Sequence, residues 1–217
     1  MATRFEEIEM TRLAYSLAIL LFAGLTTPVW AGKYNPVLNI GDAAPAWSNL
    51  PGVDGKQHAL ADLKDKDAVV VVFTCNSCPV AVDYEDRIIA FAKKFAGTES
   101  KVALVAINVN KVEADSLAKM KERATAKGFP YPYIYDDSQQ IAKAYGATYT
   151  PEFFVLNKER KIVFMGGMDD NSNPSMAKIN YLEPAVAAAL KGDKPENTET
   201  VAFGCLIRYA RERRPKP

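Results

Sequence analysis

Residues Ala68-Val69-Val70-Val71-Val72-Phe73-Thr74-Cys75-Asn76-Ser77-Cys78-Pro79 decide how the rest of the chain is read. The first six are apolar and mostly β-branched, without alternation, which is what a strand buried on both faces of a parallel sheet requires. From Val80 to Phe95 the spacing changes: Tyr84, Ile88, Phe91, Ala92 and Phe95 recur with a helical period. A buried strand therefore feeds a helix, and Cys75 and Cys78 lie at the joint. Unpaired backbone N–H groups at a helix start favour an anion, so a thiolate is stabilised there. Cys75 is read as the nucleophile and Cys78, about one turn further on, as the inward sulfur that resolves a mixed disulfide. Pro79 falls at the helix start, where its ring distorts little.

Outward from this joint the alternation of strands and helices continues. A hairpin is expected around Asp54-Gly55, between Leu50 and the His58-Ala59-Leu60 segment. Val102 to Val109 reads as a second buried strand, Ala114 to Lys127 as a helix stopped by Gly128, and Tyr133-Ile134-Tyr135 as a short strand. Asp137 is placed to cap a helix ending at Gly146, with Gln140 completing the cap. Thr150-Pro151 introduces a hairpin of strands 152–156 and 162–165. A polar loop and an alanine-rich helix ending at Gly192 follow, with Pro184 either kinking that helix or marking its first turn.

The 217 residues, 48% apolar and 24% charged, with a formal net charge of +1, fit one globular domain and provide no basic field for nucleic acid. Arg12 followed by the apolar run Leu13 to Leu25 and by Val29-Trp30-Ala31 reads as a cleaved export signal over residues 1–31, with Met10 as an alternative start. The run is short for a membrane-spanning helix, so no stable membrane insertion is expected after cleavage. The expected organisation is a signal segment 1–31, a domain over 32–192 and a C-terminal extension over 193–217. Export implies a periplasmic or extracellular location, where disulfides persist.

The strand, CxxC, helix, strand, helix, Thr-Pro, hairpin, helix order resembles the thioredoxin superfamily over roughly Gly41 to Leu190. The fold this implies is α/β and thioredoxin-like: a central mixed β-sheet flanked by helices, with an N-terminal β-hairpin and an inserted helix-strand unit between Val109 and Ser138. Phe73-Thr74-Cys75-Asn76-Ser77-Cys78-Pro79, followed by Tyr84-Glu85-Asp86-Arg87 and a late Gly204-Cys205, is similar to an exported peroxiredoxin-like group of the alkyl hydroperoxide reductase/thiol-specific antioxidant type. The resemblance implies that Pro151 is cis and packs against the redox pair, and that Thr150 offers backbone hydrogen bonds to substrate. It implies thiol-disulfide exchange with protein disulfides or thiols and an upstream redox partner, with a thiol peroxidase or a non-catalytic binding domain as alternatives. The chain departs from these relatives at several positions. The proline and threonine that precede the peroxidases' reactive cysteine are matched by Val71 and Cys75. Thioredoxin's buried Asp is matched by Val69, and its tryptophan and Gly-Pro by Thr74 and Asn76-Ser77.

Cys205 is a candidate third redox cysteine; a buried free thiol and an intermolecular partner are the other readings. No cofactor or metal is expected. No second CxxC accompanies the first, haem attachment needs a histidine after the pair where Pro79 stands, and the single His58 reads as a loop residue. Asp169 and Asp170 read as solvated loop carboxylates in preference to metal ligands. The basic end, Arg208 to Pro217, reads as solvated.

Overall fold

The computed structural model describes residues 32–210, residues 96 and 98 excepted. The expected export segment 1–31 and the tail beyond 210 lie outside the described residues. The elements are β1 (Leu50–Pro51), β2 (Gln57–His58), β3 (Ala68–Phe73), α1 (Pro79–Lys94), β4 (Val102–Asn108), α2 (Leu117–Lys127), β5 (Tyr133–Tyr135), α3 (Gln140–Tyr145), β6 (Tyr149–Thr150), β7 (Glu152–Leu156), β8 (Ile162–Gly166), α4 (Leu182–Lys191) and β9 (Cys205–Leu206).

The main sheet has the order β5-β4-β3-β7-β8; β3 runs parallel to β4 and antiparallel to β7, so the sheet is mixed. The unbroken apolar run of β3 is explained by its neighbours on both faces. Val70 and Val72 pack with Tyr84 and Ile88 of α1 and with Leu182 and Val186 of α4. Val69, Val71 and Phe73 pack on the opposite face with Trp47, Leu60 and Tyr145. Burying each such side chain stabilises the fold by about 1.5–3 kcal/mol before entropy is counted. This packing fixes the end of β3, and hence the turn into α1.

Several elements depart from the sequence expectations in instructive ways. The helix expected from Ala114 begins at Leu117, with the Ser116 side chain accepting from Lys119 N, while Glu113–Asp115 forms a separate 3-10 turn. That turn carries Asp115 inward. The cap of α3 is supplied by Asp136 and not by Asp137: the Asp136 Oδ2 accepts from Ile141 N at 2.9 Å. Asp136 is buried, whereas the Asp137 carboxylate is exposed and meets Tyr135 Oη and Lys111. Pro184 stands in the first turn of α4, the third residue of the helix.

Over its described part the C-terminal extension folds back on the domain. Thr198 O accepts from Met165 N and Thr200 N donates to Met165 O, each at 3.0 Å. The chain then crosses to β6, where β9 pairs antiparallel in the register Thr150↔Cys205 and Tyr149↔Leu206. Among the described residues no helix is long and apolar enough to cross a membrane.

Candidate functional site

The site forms where β3, α1, β6 and β9 converge. Cys78 is the N-cap of α1, in extended conformation, and its sulfur accepts from Ala81 N at 3.4 Å; Pro79 occupies the first helical position. Cys75 lies in the preceding turn, its Sγ 3.4 Å from Thr150 Oγ1 and 3.8 Å from Ser77 Oγ. The Thr150-Pro151 bond is cis, as the resemblance implies. Thr150 meets both sulfurs, because its carbonyl oxygen is 3.2 Å from Cys78 Sγ. Cys205 lies beyond Thr150, with its Sγ 2.6 Å from Cys78 Sγ; all three cysteines are free thiols.

The two thiols of the pair are shifted in opposite directions. The Cys78 thiol is pulled down to about 4 by the hydrogen bond from Cys75, against the cost of burial, with further donation from Cys205 and the Ala81 N–H. Cys75 is pushed well up by the same shared hydrogen bond and then by burial. Cys78 is the cap residue that receives the Ala81 N–H, whereas Cys75 lies in the turn before it. Cys75 is 3% exposed and Cys78 1%, so neither sulfur presents a free face to solvent. Cys205 is the more exposed of the three.

The two residues between the cysteines are held by a carboxylate that motif reading did not find. Asp115, fully buried, accepts from Asn76 N at 2.7 Å and Ser77 N at 3.1 Å through Oδ1, and from Ser77 Oγ at 2.6 Å through Oδ2. Asn108 Nδ2 donates to the same carboxylate at 3.3 Å, and Asn76 Nδ2 donates to Ala114 O at 2.9 Å. The Tyr133 hydroxyl, 3.1 Å from Asn76 Oδ1, completes the cage. The Asp115 carboxylate also adds, by charge repulsion, to what raises the Cys75 thiol. Only the folding of the inserted unit between β4 and β5 brings this side chain to the turn.

Other candidates resolve into structural partners. His58 Nε2 lies 3.0 Å from Asp54 Oδ1 within the hairpin. Asp169 accepts from Tyr84 Oη at 2.7 Å and pairs with Arg87, whose guanidinium also donates to Asn171 O and Ser172 O. Asp170 Oδ1 accepts from Lys178 N and Ile179 N. Among the described residues no group of His, Cys, Asp or Glu is arranged to hold a metal.

A five-stranded mixed sheet flanked by helices, with sulfurs at the first turn of α1 facing a Thr-Pro junction, defines the thioredoxin-like class of fold. The match to known proteins is narrower than that. The chain belongs to the AhpC/TSA family, whose model matches residues 40–165. It is similar to the thiol-disulfide oxidoreductase ResA of Geobacillus thermodenitrificans, 24% identical over 67% of this chain and 80% of that one. A putative peroxiredoxin of Mycobacterium tuberculosis is 25% identical over 72% of this chain and 94% of its own length. Among solved structures, a hypothetical protein of Sinorhizobium meliloti matches with a TM-score of 0.74 and 33% identity, covering 82% of this chain and 99% of that one. An uncharacterised conserved protein of Geobacillus kaustophilus matches with a TM-score of 0.75 and 31% identity, over 82% and 96% of the two chains.

Proposed function

We propose that this protein is a thiol-disulfide oxidoreductase acting through Cys75 and Cys78, with Cys78 as the ionised sulfur and Thr150 and Pro151 forming the wall against which a disulfide is exchanged. The observation that carries this reading is Cys78 at the cap of α1, accepting from Ala81 N, with both Cys75 Sγ and Cys78 Sγ against Thr150. Similarity to ResA supports it. In the reduced state Cys75 keeps its proton and Cys78 carries the charge. Oxidation joins the two sulfurs, releases the Cys75 proton and passes two electrons to the partner disulfide, which leaves as a dithiol after taking up that proton and one more from solvent. Holding Cys78 as a thiolate stabilises the reduced form, which makes the couple more oxidising than an ordinary structural disulfide, whose potential lies below roughly −300 mV.

The partners on this reading are protein thiols or disulfides, together with an upstream redox protein that resets the pair. The chain acts outside the cytoplasm, after removal of residues 1–31. The test is turnover of a disulfide substrate by the wild type beside Cys75→Ser and Cys78→Ser, together with the potential of the couple. Loss of turnover in both variants and a potential above the structural range are expected. Undiminished turnover in both, or a potential below that range, defeats the reading.

One observation favours a second reading, thiol peroxidase: Cys78, the sulfur that matches the peroxidases' reactive position, is the N-cap of α1 and accepts from Ala81 N. Peroxide would oxidise it to a sulfenic acid with release of water, and Cys75 would then condense with it. Its 1% exposure and the replacement of the activating positions by Val71 and Cys75 weigh against this. Peroxide consumption no faster than that of an ordinary thiolate would remove it.

A further inference from the structure

The oxidoreductase reading leaves two facts without a use: both sulfurs of the pair are buried, and a third sulfur is held against one of them. Cys205 is not carried on a loose tail. The strap that bears it is pinned upstream to β8 through Thr198 and Thr200, whose Oγ1 also accepts from Gly167 N at 3.0 Å. Downstream, Ile207 N donates to Thr148 O at 2.8 Å, Arg208 N to Asn110 Oδ1 at 3.0 Å, and Gln139 Nε2 to Arg208 O at 3.0 Å. Between these anchors the Thr150 hydroxyl donates to the Cys205 carbonyl at 3.5 Å. Gly204 lies flat on the Thr150-Pro151 junction, where any Cβ would collide with the Thr150 carbonyl. Register and anchoring thus deliver one thiol to one sulfur.

We propose that Cys205 is the third thiol of an intrachain relay, exchanging disulfides with Cys78 and carrying the oxidation state of the buried pair to an external dithiol. The proposal rests on the thiol-disulfide reading of Cys75 and Cys78. Starting from the Cys75–Cys78 disulfide, the Cys205 thiolate attacks Cys78 Sγ. The Cys78–Cys75 bond breaks, and Cys75 leaves and takes up the proton that Cys205 released. No electrons are gained or lost in this step; the disulfide has moved to Cys78–Cys205. A thiolate of the external dithiol then attacks Cys205 Sγ, and Cys78 departs as a thiolate received by the Ala81 N–H. The dithiol's second thiol attacks the mixed disulfide and releases Cys205. The partner has lost two electrons and two protons, and the protein is reduced. Cys205 suits the entry position because it is the more exposed sulfur, and Cys78 suits the leaving position because a low-pKa thiol departs faster.

The test uses the full chain in two forms. Cys75→Ser, with Cys75→Ala as a second variant in case the first does not fold, is treated with oxidised glutathione, alkylated and digested without reduction for mass spectrometry. A monomeric Cys78–Cys205 disulfide is expected. Glutathione held on Cys78 with Cys205 alkylated would overturn the proposal. In parallel, oxidised wild type and Cys205→Ser are reduced with dithiothreitol in a stopped-flow experiment, and the variant is expected to react about tenfold more slowly or worse. Equal rates through a Cys75–Cys78 disulfide would overturn the relay while leaving the pair's own chemistry standing. Failure of every form to make any disulfide would overturn both.

Discussion

Helix α1 carries a polar constellation at its start and another along its length, and the two are built on opposite principles. Along the helix, Glu85 is clamped by Arg123 through hydrogen bonds of 2.7 and 2.8 Å, and Arg87 is spent on Asp169 and two carbonyls, with its guanidinium 3.7 Å over the Tyr84 ring. Each charge has a fixed opposite charge, so nothing there gains from changing partner. At the helix start, Cys78 Sγ has Cys205 Sγ, Ala81 N and Thr150 O around it, and the carbonyl is a partner only while Cys78 keeps its proton, so the partners change with the state of the sulfur. An ion pair with fixed partners is a strut; a sulfur held against other thiols is a site where a bond can be exchanged. The contrast explains why Asp169 and Glu85 are structural although both are buried carboxylates.

The largest expected effect breaks the contrast at the helix start. Cys78→Ser should lower exchange with a disulfide substrate on the order of a thousandfold while the fold, followed by circular dichroism, is retained. The next breaks the strut. Arg87→Met leaves Asp169 buried with Tyr84 as its remaining side-chain donor, so unfolding in urea should show a loss of about 3 kcal/mol, with turnover per folded molecule unchanged. Asp115→Ala belongs between the two classes. It strips an acceptor from two backbone N–H groups and the Ser77 hydroxyl, so a loss of about 2 kcal/mol is expected together with an altered pH profile of thiol alkylation. A purely structural role would leave that profile unmoved.

A smaller effect sharpens the comparison through pH. Cys78 folds with its thiol at about 4 and unfolds to the ordinary thiol range, so between those limits the unfolded chain binds the extra proton and stability of the reduced protein rises with pH. Cys75 is raised, so above the ordinary thiol range the unfolded chain releases a proton that the folded one keeps, and stability falls again. Urea midpoints of the reduced wild type should therefore climb from pH ~4 to ~8.5 and decline beyond, and Cys78→Ser should flatten the climb. The smallest effect is His58→Ala, which removes an exposed hairpin contact and should shift the midpoint by less than about 0.5 kcal/mol.

The fold was legible where burial leaves a pattern. The run at 68–73 could only be a strand covered on both sides, and the period from Tyr84 to Phe95 could only be one face of a helix, so the cysteine joint followed. The role of each sulfur was not legible, because three residues of spacing do not say which one falls on the cap; the turn through Asn76 and Ser77 places Cys78 there. Asp115 was hidden because its work depends on a 3-10 turn that ends before α2 begins, and nothing in Glu113-Ala114-Asp115-Ser116 distinguishes that turn from the first residues of a helix. The strand β9 is two residues long, too short to show alternation, and its existence depends on Gly204 meeting a backbone more than fifty positions earlier. Cys205 was visible as a residue but not as a neighbour. The strut was half visible: Asp169 and Asp170 stood out as a pair, but only the structure shows one turned inward to Arg87 and the other outward to backbone amides.

The account stands on Cys78 being the sulfur that is charged at neutral pH. Thiolate ultraviolet absorbance of the reduced protein, followed from acid to alkaline pH in the wild type, Cys75→Ser and Cys78→Ser, measures this directly. One thiolate should already be present well below the ordinary thiol range, persist in Cys75→Ser and vanish in Cys78→Ser. An early thiolate that survives in Cys78→Ser, or three sulfurs that all titrate as ordinary thiols, would contradict it.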